Sequence, residues 1–199
     1  MSDSPLTDDE VVASVLAGRR QDYEILVRRY SQRIVRFVAR MTEDNDEAHS
    51  LAQEAFLKIY ENLSYYRREN NFTAFLFKVA RNTTLNWLKR RRRTVFFSRL
   101  LGRSLEAPPF HQPPPPLSPL ERDEREAQLT SGLRRLPEEQ RLALVLKVYL
   151  EFSYRQIAEV TGWSEPKIET LISRAKSRLR QAVRLQESGA KSVAEARET

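Results

Sequence analysis

The stretch SYRQIAEVTGWSEPKIETLISRA, residues 153–175, has the residue spacing of two helices joined by a tight turn. Ala158 is small where two helices must touch, and Gly162 can adopt the positive φ that ends a helix. Ser164 can then cap the next helix, and Pro166 suits its first turn. The stretch is therefore predicted to form a helix-turn-helix. The plainer interpretation is a helical hairpin with no role in binding DNA.

The second of these helices has an apolar and a polar face. Its apolar residues, three and four positions apart, are Ile168, Leu171, Ile172, Ala175 and Leu179. Its outward polar residues are Lys167, Glu169, Thr170, Ser173, Arg174 and Arg178. A helix of this kind fits the major groove of duplex DNA, where early residues reach base edges and later cations reach phosphates.

Three apolar stripes recur at steps of three and four residues before residue 100. The first contains Tyr23, Leu26, Val27, Tyr30, Ile34, Phe37, Val38 and Met41. The second contains Ala48, Leu51, Ala52, Ala55, Phe56, Ile59, Tyr60 and Leu63, and the third contains Phe72, Phe75, Leu76, Val79, Ala80 and Trp87. This period places each stripe on one helix face, and no segment shows a convincing run of strand alternation. The fold is predicted to be all-α, with an α-helical bundle before residue 100.

A proline-rich segment divides the chain. Seven of the ten prolines fall within Pro108–Pro119, where they prevent helix interior and central strand. The segment is predicted to be an extended, semi-rigid linker over residues 101–124. It would join one small helical domain, residues 1–100, to a second, residues 125–187. The small polar residues 188–199 are predicted to be a disordered tail.

The excess positive charge lies in one segment. The 199 residues include 34 Lys and Arg against 27 Asp and Glu, a formal charge of +7. Residues 65–103 hold 11 basic side chains and one acidic side chain, Glu69, a net charge of +10. Such a block attracts a polyanion, and without an apolar anchor nucleic acid fits better than a lipid surface. A solvated basic face is the alternative.

Composition excludes several kinds of protein. Without cysteine the chain forms no disulfide, thiolate zinc site or cysteine nucleophile. The longest apolar run within residues 142–150 is Leu142–Leu146, far below the ~20 residues of a membrane-spanning helix. The first ten residues are acidic and lack the basic start of a signal peptide. We therefore expect a cytoplasmic protein without membrane insertion.

No catalytic centre is predicted. The two histidines, His49 and His111, lack metal-ligand spacing, and the five glycines form no phosphate-cradling loop. The many carboxylates are spaced as on the surfaces of helices. We expect no catalytic residue, no metal, no cofactor and no enzymatic activity.

Two parts of the chain resemble an extracytoplasmic-function (ECF) sigma factor of bacterial RNA polymerase. The stretch Leu133–Val183 is similar to region 4 of that family. The stretches LAQEAFLKIYENL, Leu51–Leu63, and FTAFLFKVARNTTLNWLKRRRR, Phe72–Arg93, are similar to region 2. Region 2, a variable linker and region 4 form the minimal architecture of the group. The resemblance covers residues 10–100 and 125–185.

The resemblance implies that the chain binds core RNA polymerase, recognises −35 and −10 promoter elements and promotes strand opening. It implies docking on the β′ clamp helices through Gln53, Glu54 and Phe56, and a further contact with the β flap. Promoter DNA would be bound both as a duplex and as a single strand, an anti-sigma factor would regulate the protein, and the regulated genes would belong to a stress response. The family usually has an acid where Ser50 stands.

The resemblance assigns −10 recognition to a loop and the helix after it. The loop residues are Tyr66, Arg67, Asn70 and Asn71, and the helix residues are Asn82, Asn86, Lys89 and Arg90. Capture of an unstacked base takes an aromatic wall, amides for the Watson–Crick edge and cations for the backbone, and these residues supply all three. The family has a glycine where Arg68 stands. Phe72, Phe75 and Phe77 are expected in the core, while Trp87 could serve the core or strand separation.

In region 4 the resemblance assigns −35 recognition to the outward residues of the second helix. These are Lys167, Glu169, Thr170, Ser173, Arg174 and Arg178. Many relatives carry basic residues where Glu169 and Leu171 stand. Because glutamate can accept a hydrogen bond from a cytosine amine, the change would alter base preference or weaken DNA contact.

Two other classes of protein remain open. One is a stand-alone helix-turn-helix regulator that binds duplex DNA without polymerase, as a dimer. The other is a sigma-like interaction protein that titrates an anti-sigma factor. The helical domain predicted for residues 1–100 favours a sigma factor. A stand-alone regulator would carry an effector pocket or a dimer face there, rather than a basic loop and helix for unpaired DNA.

Overall fold

The computed structural model describes residues 6–42, 44–67, 71–100 and 132–195. For residues 98–100 and 183–195 it describes the backbone alone. Over these ranges the protein is helical and contains no strand, so the predicted all-α fold is confirmed. The chain divides into two compact units, Met1–Pro114 and Pro115–Thr199, except that Glu159–Gly162 is grouped with the first. The predicted linker, 101–124, lies outside the described residues.

Within the described part of the first unit there are four α-helices. They are α1 (Asp8–Leu16), α2 (Tyr23–Thr42), α3 (Asn45–Glu61) and α4 (Phe72–Leu100), with 3₁₀ turns at Arg20–Asp22 and Leu63–Tyr65. The apolar stripes predicted on α2, α3 and α4 are mostly buried, although Tyr60 of the second stripe is exposed. At the centre, the rings of Phe37 and Phe77 meet edge to face, with centroids 5.8 Å apart and planes at 89°. Both are almost fully buried, so these two aromatics join α2 to α4.

The first helix, α1, was not predicted from apolar periodicity. It begins with a capping box, in which the Thr7 side chain accepts from the Glu10 amide and the Glu10 carboxylate accepts from the Thr7 amide at 2.7 Å. It ends just before Gly18, whose φ of +104° favours glycine. The Thr-x-x-Glu pattern was therefore the sequence signal for this helix.

Most of the predicted helix-turn-helix belongs to the second unit. The helices of this part of the chain are α5 (Glu138–Leu144), continued by a π-helical turn at Val145–Tyr149, then α6 (Tyr154–Thr161) and α7 (Glu165–Glu195). Gly162 has a φ of +75° between α6 and α7, as the turn prediction required. Ile168, Ile172 and Ala175 on α7 are buried, as is Ile157 of α6, and α7 packs against α5.

The end of α7 differs from the prediction. Residues 188–199 were expected to be a disordered tail, but α7 continues to Glu195. Alanine, glutamate and lysine in this stretch are strong helix formers, and they extend a helix that is already nucleated. Small polar composition alone was therefore a poor guide here.

Candidate nucleic-acid interface

The exposed side of α4 carries a line of polar and basic side chains. Its members are Lys78, Asn82, Asn86, Lys89 and Arg93, and all are exposed. Because they follow one another at steps of three or four residues, they lie on one helix face. The line is about 22 Å long at a rise of 1.5 Å per residue. We call these five residues the α4 line.

The opposite side of α4 is buried in the first unit, which fixes the direction of the α4 line. Leu76, Phe77 and Ala80 are fully buried, and Thr83 and Thr84 continue the buried side. The Thr84 hydroxyl donates to the Ala80 carbonyl at 2.8 Å, so this polar group is satisfied within the core. The α4 line is thus held toward solvent by packing on the other face of the same helix.

The predicted −10 residues of α4 lie on or beside this line. Asn82, Asn86, Lys89 and Arg90 are exposed. The prediction missed Lys78 and Arg93, which extend the line at both ends and which helical spacing from Asn82 and Lys89 could have found.

Arg91 turns from the basic run toward the bundle. Its guanidinium lies 3.3 Å from the Asp44 carboxylate and 4.9 Å from the ring centroid of Trp87. Asp44 also caps α3, accepting from the Glu47 amide at 3.1 Å. Trp87 is half-buried and carries an arginine over its ring, in a shallow cleft lined by Asp44, Glu47, Trp87, Arg90, Arg91 and Thr94. Arg91 therefore joins α4 to the start of α3.

The loop before α4 is exposed where it is described. Arg67 is exposed, and Asn71 is exposed with its side-chain oxygen accepting from the Thr73 amide at 2.9 Å. Asn71 therefore caps the start of α4 through its oxygen. Arg68 and the predicted site residue Asn70 lie outside the described residues.

Tyr66 was predicted as an aromatic wall for a base, but it is buried. Its exposed fraction is 9%, and its hydroxyl donates to Asp9 Oδ1 at 2.7 Å. Its ring lies 5.3 Å from that of Phe72 and 5.5 Å from that of Phe75. The exposed aromatic is Tyr65, with an exposed fraction of 77%. Tyr66 is thus buried beside a hydrogen-bond partner 57 residues away, and its assignment to the wall of a base pocket stays a prediction.

Three tyrosine hydroxyls of the first unit are held in the neutral form. Burial raises the pKa of Tyr23, Tyr30 and Tyr66 above the ordinary value near 10. Hydrogen bonds to Asp8 and Asp9 raise the pKa of Tyr30 and Tyr66 further, because a phenolate there would face a carboxylate. These hydroxyls therefore act as donors at neutral pH.

Helix α7 exposes all the residues predicted to bind the −35 element. They are Lys167, Glu169, Thr170, Ser173, Arg174 and Arg178. Lys167, Arg174 and Arg178 follow at steps of seven and four and share one edge of the exposed face. Glu169 lies about 160° around the helix from Lys167, given 3.6 residues per turn. The acid and the three cations thus belong to different edges of the helix.

Lys167 has partners within the protein. Its Nζ lies 2.9 Å from Glu139 Oε1 and 4.6 Å from the ring centroid of Trp163. The Thr170 hydroxyl donates to the Pro166 carbonyl at 2.9 Å. The Lys167 and Glu139 side chains are 43% and 54% exposed, so the pair is solvated and contributes little to stability. Lys167 can therefore exchange its carboxylate for another anion.

Helix α3 exposes a mixed polar and apolar surface. Gln53 is exposed, and Glu54 forms the predicted i,i+4 ion pair with Lys58. Phe56 was expected beside them, but it is 8% exposed and lies on the core side of α3. The exposed apolar residue next to Gln53 and Glu54 is Leu57, at 65%. Phe56 is three positions from Gln53 but on the core side of the helix, and its role in docking stays a prediction.

The described residues contain neither a candidate membrane span nor a candidate metal cluster. Within them, no helix combines the length and apolar character needed to cross a membrane. Over the same ranges, no group of three or more His, Cys, Asp or Glu side chains could hold a metal ion.

Comparison with known proteins places these surfaces in a family. Residues 26–94 match the family model of sigma-70 region 2, and residues 126–179 match that of sigma-70 region 4. The chain is 31% identical over 183 residues to the RNA polymerase sigma-H factor of Pseudomonas aeruginosa, covering 88% of this chain and 93% of that protein. It is 26% identical over 175 residues to the ECF RNA polymerase sigma-E factor of Haemophilus influenzae, covering 86% and 92%. The chain belongs to the ECF sigma factors.

An ECF sigma factor binds core RNA polymerase, directs it to promoters with particular −35 and −10 elements and promotes strand opening, and this is the function of the chain. Its fold is similar to the sigma factor RpoE of Bartonella quintana, solved in complex with the anti-sigma factor NepR. The TM-score is 0.68 and the identity 24%, covering 82% of this chain and 98% of that one. The helix-turn-helix of this sigma factor falls within the region 4 match, and the α4 line within the region 2 match.

Proposed function

We propose that the α4 line reads the −10 element. The amides of Asn82 and Asn86 can donate to and accept from base edges, while Lys89 and Arg93 contact phosphates. The observation that carries the proposal is that amides and cations share one exposed face of a helix whose other face is packed in a core. A rigid face of this composition suits a separated strand, whose bases and backbone can both be contacted.

The loop before α4 supplies the surface for an unstacked base. Tyr65 offers an exposed ring for stacking, and Arg67 offers a cation for the adjacent phosphate. The Asn71 side chain caps α4 through its oxygen, and its amide nitrogen can donate to a base edge. In this arrangement Tyr65 takes the stacking role that the sequence assigned to Tyr66.

The exposed face of α7 reads the −35 element as duplex DNA. Thr170 and Ser173 lie at the centre of that face, and Arg174 lies one helical turn beyond Thr170. Arg174 and Arg178 share one edge and suit bases and phosphates along one strand. Glu169, on the far edge, would accept from a cytosine amine or stay outside the groove.

The exposed surface of α3 docks on the β′ clamp helices of core polymerase. Gln53 and Glu54 provide polar contacts, and Leu57 provides apolar area at their centre. Leu57→Ala should weaken core affinity, whereas Phe56→Ala should lower the stability of the first unit.

We further propose that the protein acts in the cytoplasm and that an anti-sigma factor regulates it. Support comes from the Bartonella quintana sigma factor of the same fold, which was solved with such a partner. A protein that co-purifies with the chain and blocks transcription by the reconstituted polymerase would be that regulator. Co-purifying proteins that leave transcription unchanged would contradict this proposal.

Transcription from selected promoters tests the −10 assignment. A random promoter library is first selected with wild-type chain and core polymerase. Asn82→Ala should then relax preference at one −10 position by about 1–3 kcal/mol, and Lys89→Ala should weaken all promoters evenly and lower the salt slope by ~1. Arg28→Ala is the matched control, since it removes an exposed cation from α2. Equal effects of Lys89→Ala and Arg28→Ala would refute the assignment.

A parallel set of variants tests the −35 assignment. Arg174→Ala should reduce discrimination among −35 sequences and leave −10 preference unchanged, because each base contact acts locally. Arg135→Ala, at an exposed position before α5, is the matched control. Altered −10 preference in Arg174→Ala would overturn the division of labour between the two units. Tight specific binding to duplex without core polymerase would instead support the stand-alone regulator.

A further inference from the structure

Four arginines form a stripe along one face of α2. They are Arg29, Arg33, Arg36 and Arg40, at steps of four, three and four residues. With 3.6 residues per turn they fall within a sector of about 60°, and at a rise of 1.5 Å per residue the stripe is about 17 Å long. Arg29 and Arg36 are exposed, while Arg33 and Arg40 are half-buried. We call these four residues the α2 stripe.

The net charge of the surrounding sequence conceals this stripe. Residues 1–64 hold 8 basic and 12 acidic side chains, yet α2 itself has five arginines and one acid, Glu24. Glu24 pairs with Arg28, which lies at least about 80° around the helix from every member of the stripe. Within the stripe, Arg29 pairs with Asp8 at 2.7 Å, whereas exposed Arg36 has no ion pair with any described residue. Arg36 is therefore the member best placed to bind an external anion.

Arg33 joins the α2 stripe to α4. Its guanidinium carbon lies 5.5 Å from the ring centroid of Phe77, the residue before the first member of the α4 line. Around α4 from Phe77 toward Asn82, Arg81 lies at about 40° and Lys78 at about 100°. Arg81 Nη1 also donates to Asn82 Oδ1 at 3.2 Å. Because the sequence of α4 contains no acid, the cations continue without interruption from the α2 stripe to the α4 line.

We propose that the α2 stripe is a second phosphate-binding surface, which holds single-stranded promoter DNA beyond the nucleotides that the α4 line reads. The proposal extends the proposed function of the α4 line and rests on it. Charge complementarity favours a polyanion, and continuity with the α4 line makes the separated strand the polyanion that reaches both surfaces. Arginine suits this role because its planar guanidinium can donate to two phosphate oxygens at once. Phosphate contacts carry no base sequence, so the added binding is independent of the bases.

The experiment measures the binding of reconstituted holoenzyme to single strands of a selected promoter by fluorescence anisotropy. A short strand holds the −10 element alone, and two longer strands add about five nucleotides on its 5′ or its 3′ side, the number that the stripe spans at about 3.4 Å each. The wild-type protein should bind one of the longer strands more tightly, whatever the added sequence. Arg36→Ala should weaken that binding about two- to five-fold and lower its salt slope by about 0.7, and Arg36→Glu should weaken it further. Arg36→Lys, which keeps the charge, should retain most of the gain.

Arg28→Ala is the matched control, because it removes an exposed arginine from another face of α2 and should bind every strand like wild type. All Arg36 variants should bind the short strand and core polymerase within two-fold of wild type. Undiminished binding of the longer strand by Arg36→Ala and Arg36→Glu would overturn the proposal, as would equal binding of all three strands by the wild type. An equal loss on the short strand or in core affinity would overturn it too, the latter by assigning the stripe to an acidic surface of polymerase. A wild-type protein that binds none of the strands would instead refute the proposed function of the α4 line.

Discussion

The ion pair between Lys167 and Glu139 predicts that removal of the acid strengthens promoter binding. Lys167 is placed at the start of the −35 face, yet its Nζ lies 2.9 Å from a carboxylate on α5. To contact a phosphate, the ammonium must leave that carboxylate, and the acid then remains close to the DNA. Glu139→Gln retains the side-chain length. It removes the ion pair that must be broken and the repulsion between the acid and the DNA.

The expected gain is modest because both side chains are about half exposed. A pair of this kind contributes about 0–1 kcal/mol, so promoter affinity should rise by up to about five-fold at low salt. The dependence of log K on log salt should also steepen by up to about 0.9, because the wild-type ammonium is shared between the carboxylate and the phosphate. Lys167→Ala should weaken binding and flatten the same dependence.

The assay is fluorescence anisotropy of holoenzyme with a selected promoter, over a series of salt concentrations. When Lys167 is already replaced by alanine, Glu139→Gln should raise promoter affinity only slightly. The remaining gain comes from the lost repulsion between the acid and the DNA phosphates, because there is no longer a lysine for the acid to hold. Glu61→Gln, an exposed acid at the end of α3, controls for net charge. A loss of affinity in Glu139→Gln would refute the reasoning, since it would mean that the acid orients Lys167 for DNA rather than competing for it.

Three further predictions concern stability and can be measured by denaturant unfolding, with Trp87 reporting on the first unit and Trp163 on the second. Phe77→Ala should lower the free energy of unfolding of the first unit by about 3–5 kcal/mol, because the ring is fully buried. Phe77→Leu should lower it by less, since leucine fills part of the space. Equal losses in the two variants would contradict the role of Phe77 as a core side chain. Burial raises the pKa of Tyr23, so its hydroxyl contributes fully to the free energy of unfolding below about pH 10, and this contribution is lost as the pH rises further. Tyr23→Phe should therefore reduce the loss of stability at alkaline pH. An unchanged dependence of stability on pH in this variant would contradict the prediction. Gly162→Ala should lower the free energy of unfolding by about 1–2 kcal/mol through its positive φ alone, since among the described residues nothing lies within 4 Å of an added Cβ. Gly162→Asn should lower it by less, and a loss far above that range in Gly162→Ala would indicate a clash.

The helices were predictable where the sequence has a strong period. The buried stripes of α2, α3 and α4 repeat every three or four residues, and a helix is the arrangement that gathers them on one side. The turn between α6 and α7 was predictable for another reason, because Gly162 allows a φ that few other residues adopt. Exposure of the predicted α7 residues followed directly from the same periodicity.

Contacts between distant segments could not be predicted in this way. Tyr65 and Tyr66 are adjacent aromatics, and the choice of which enters the core depends on Asp9, 57 residues earlier. Likewise, Lys167 and Glu139 are 28 residues apart, and their pairing depends on how α5 packs beside α7. A single sequence contains both partners without indicating that they meet.

The two faces of α4 have a consequence for how such a protein can change. Insertion of one residue between Ala80 and Asn82 would rotate every later side chain by about 100° and advance it by about 1.5 Å. The amides of Asn82 and Asn86 would turn together away from Lys78, and apolar side chains downstream would leave the interior. New promoter preferences can therefore arise in α4 by substitution of single residues, whereas an insertion or deletion within this helix should abolish activity.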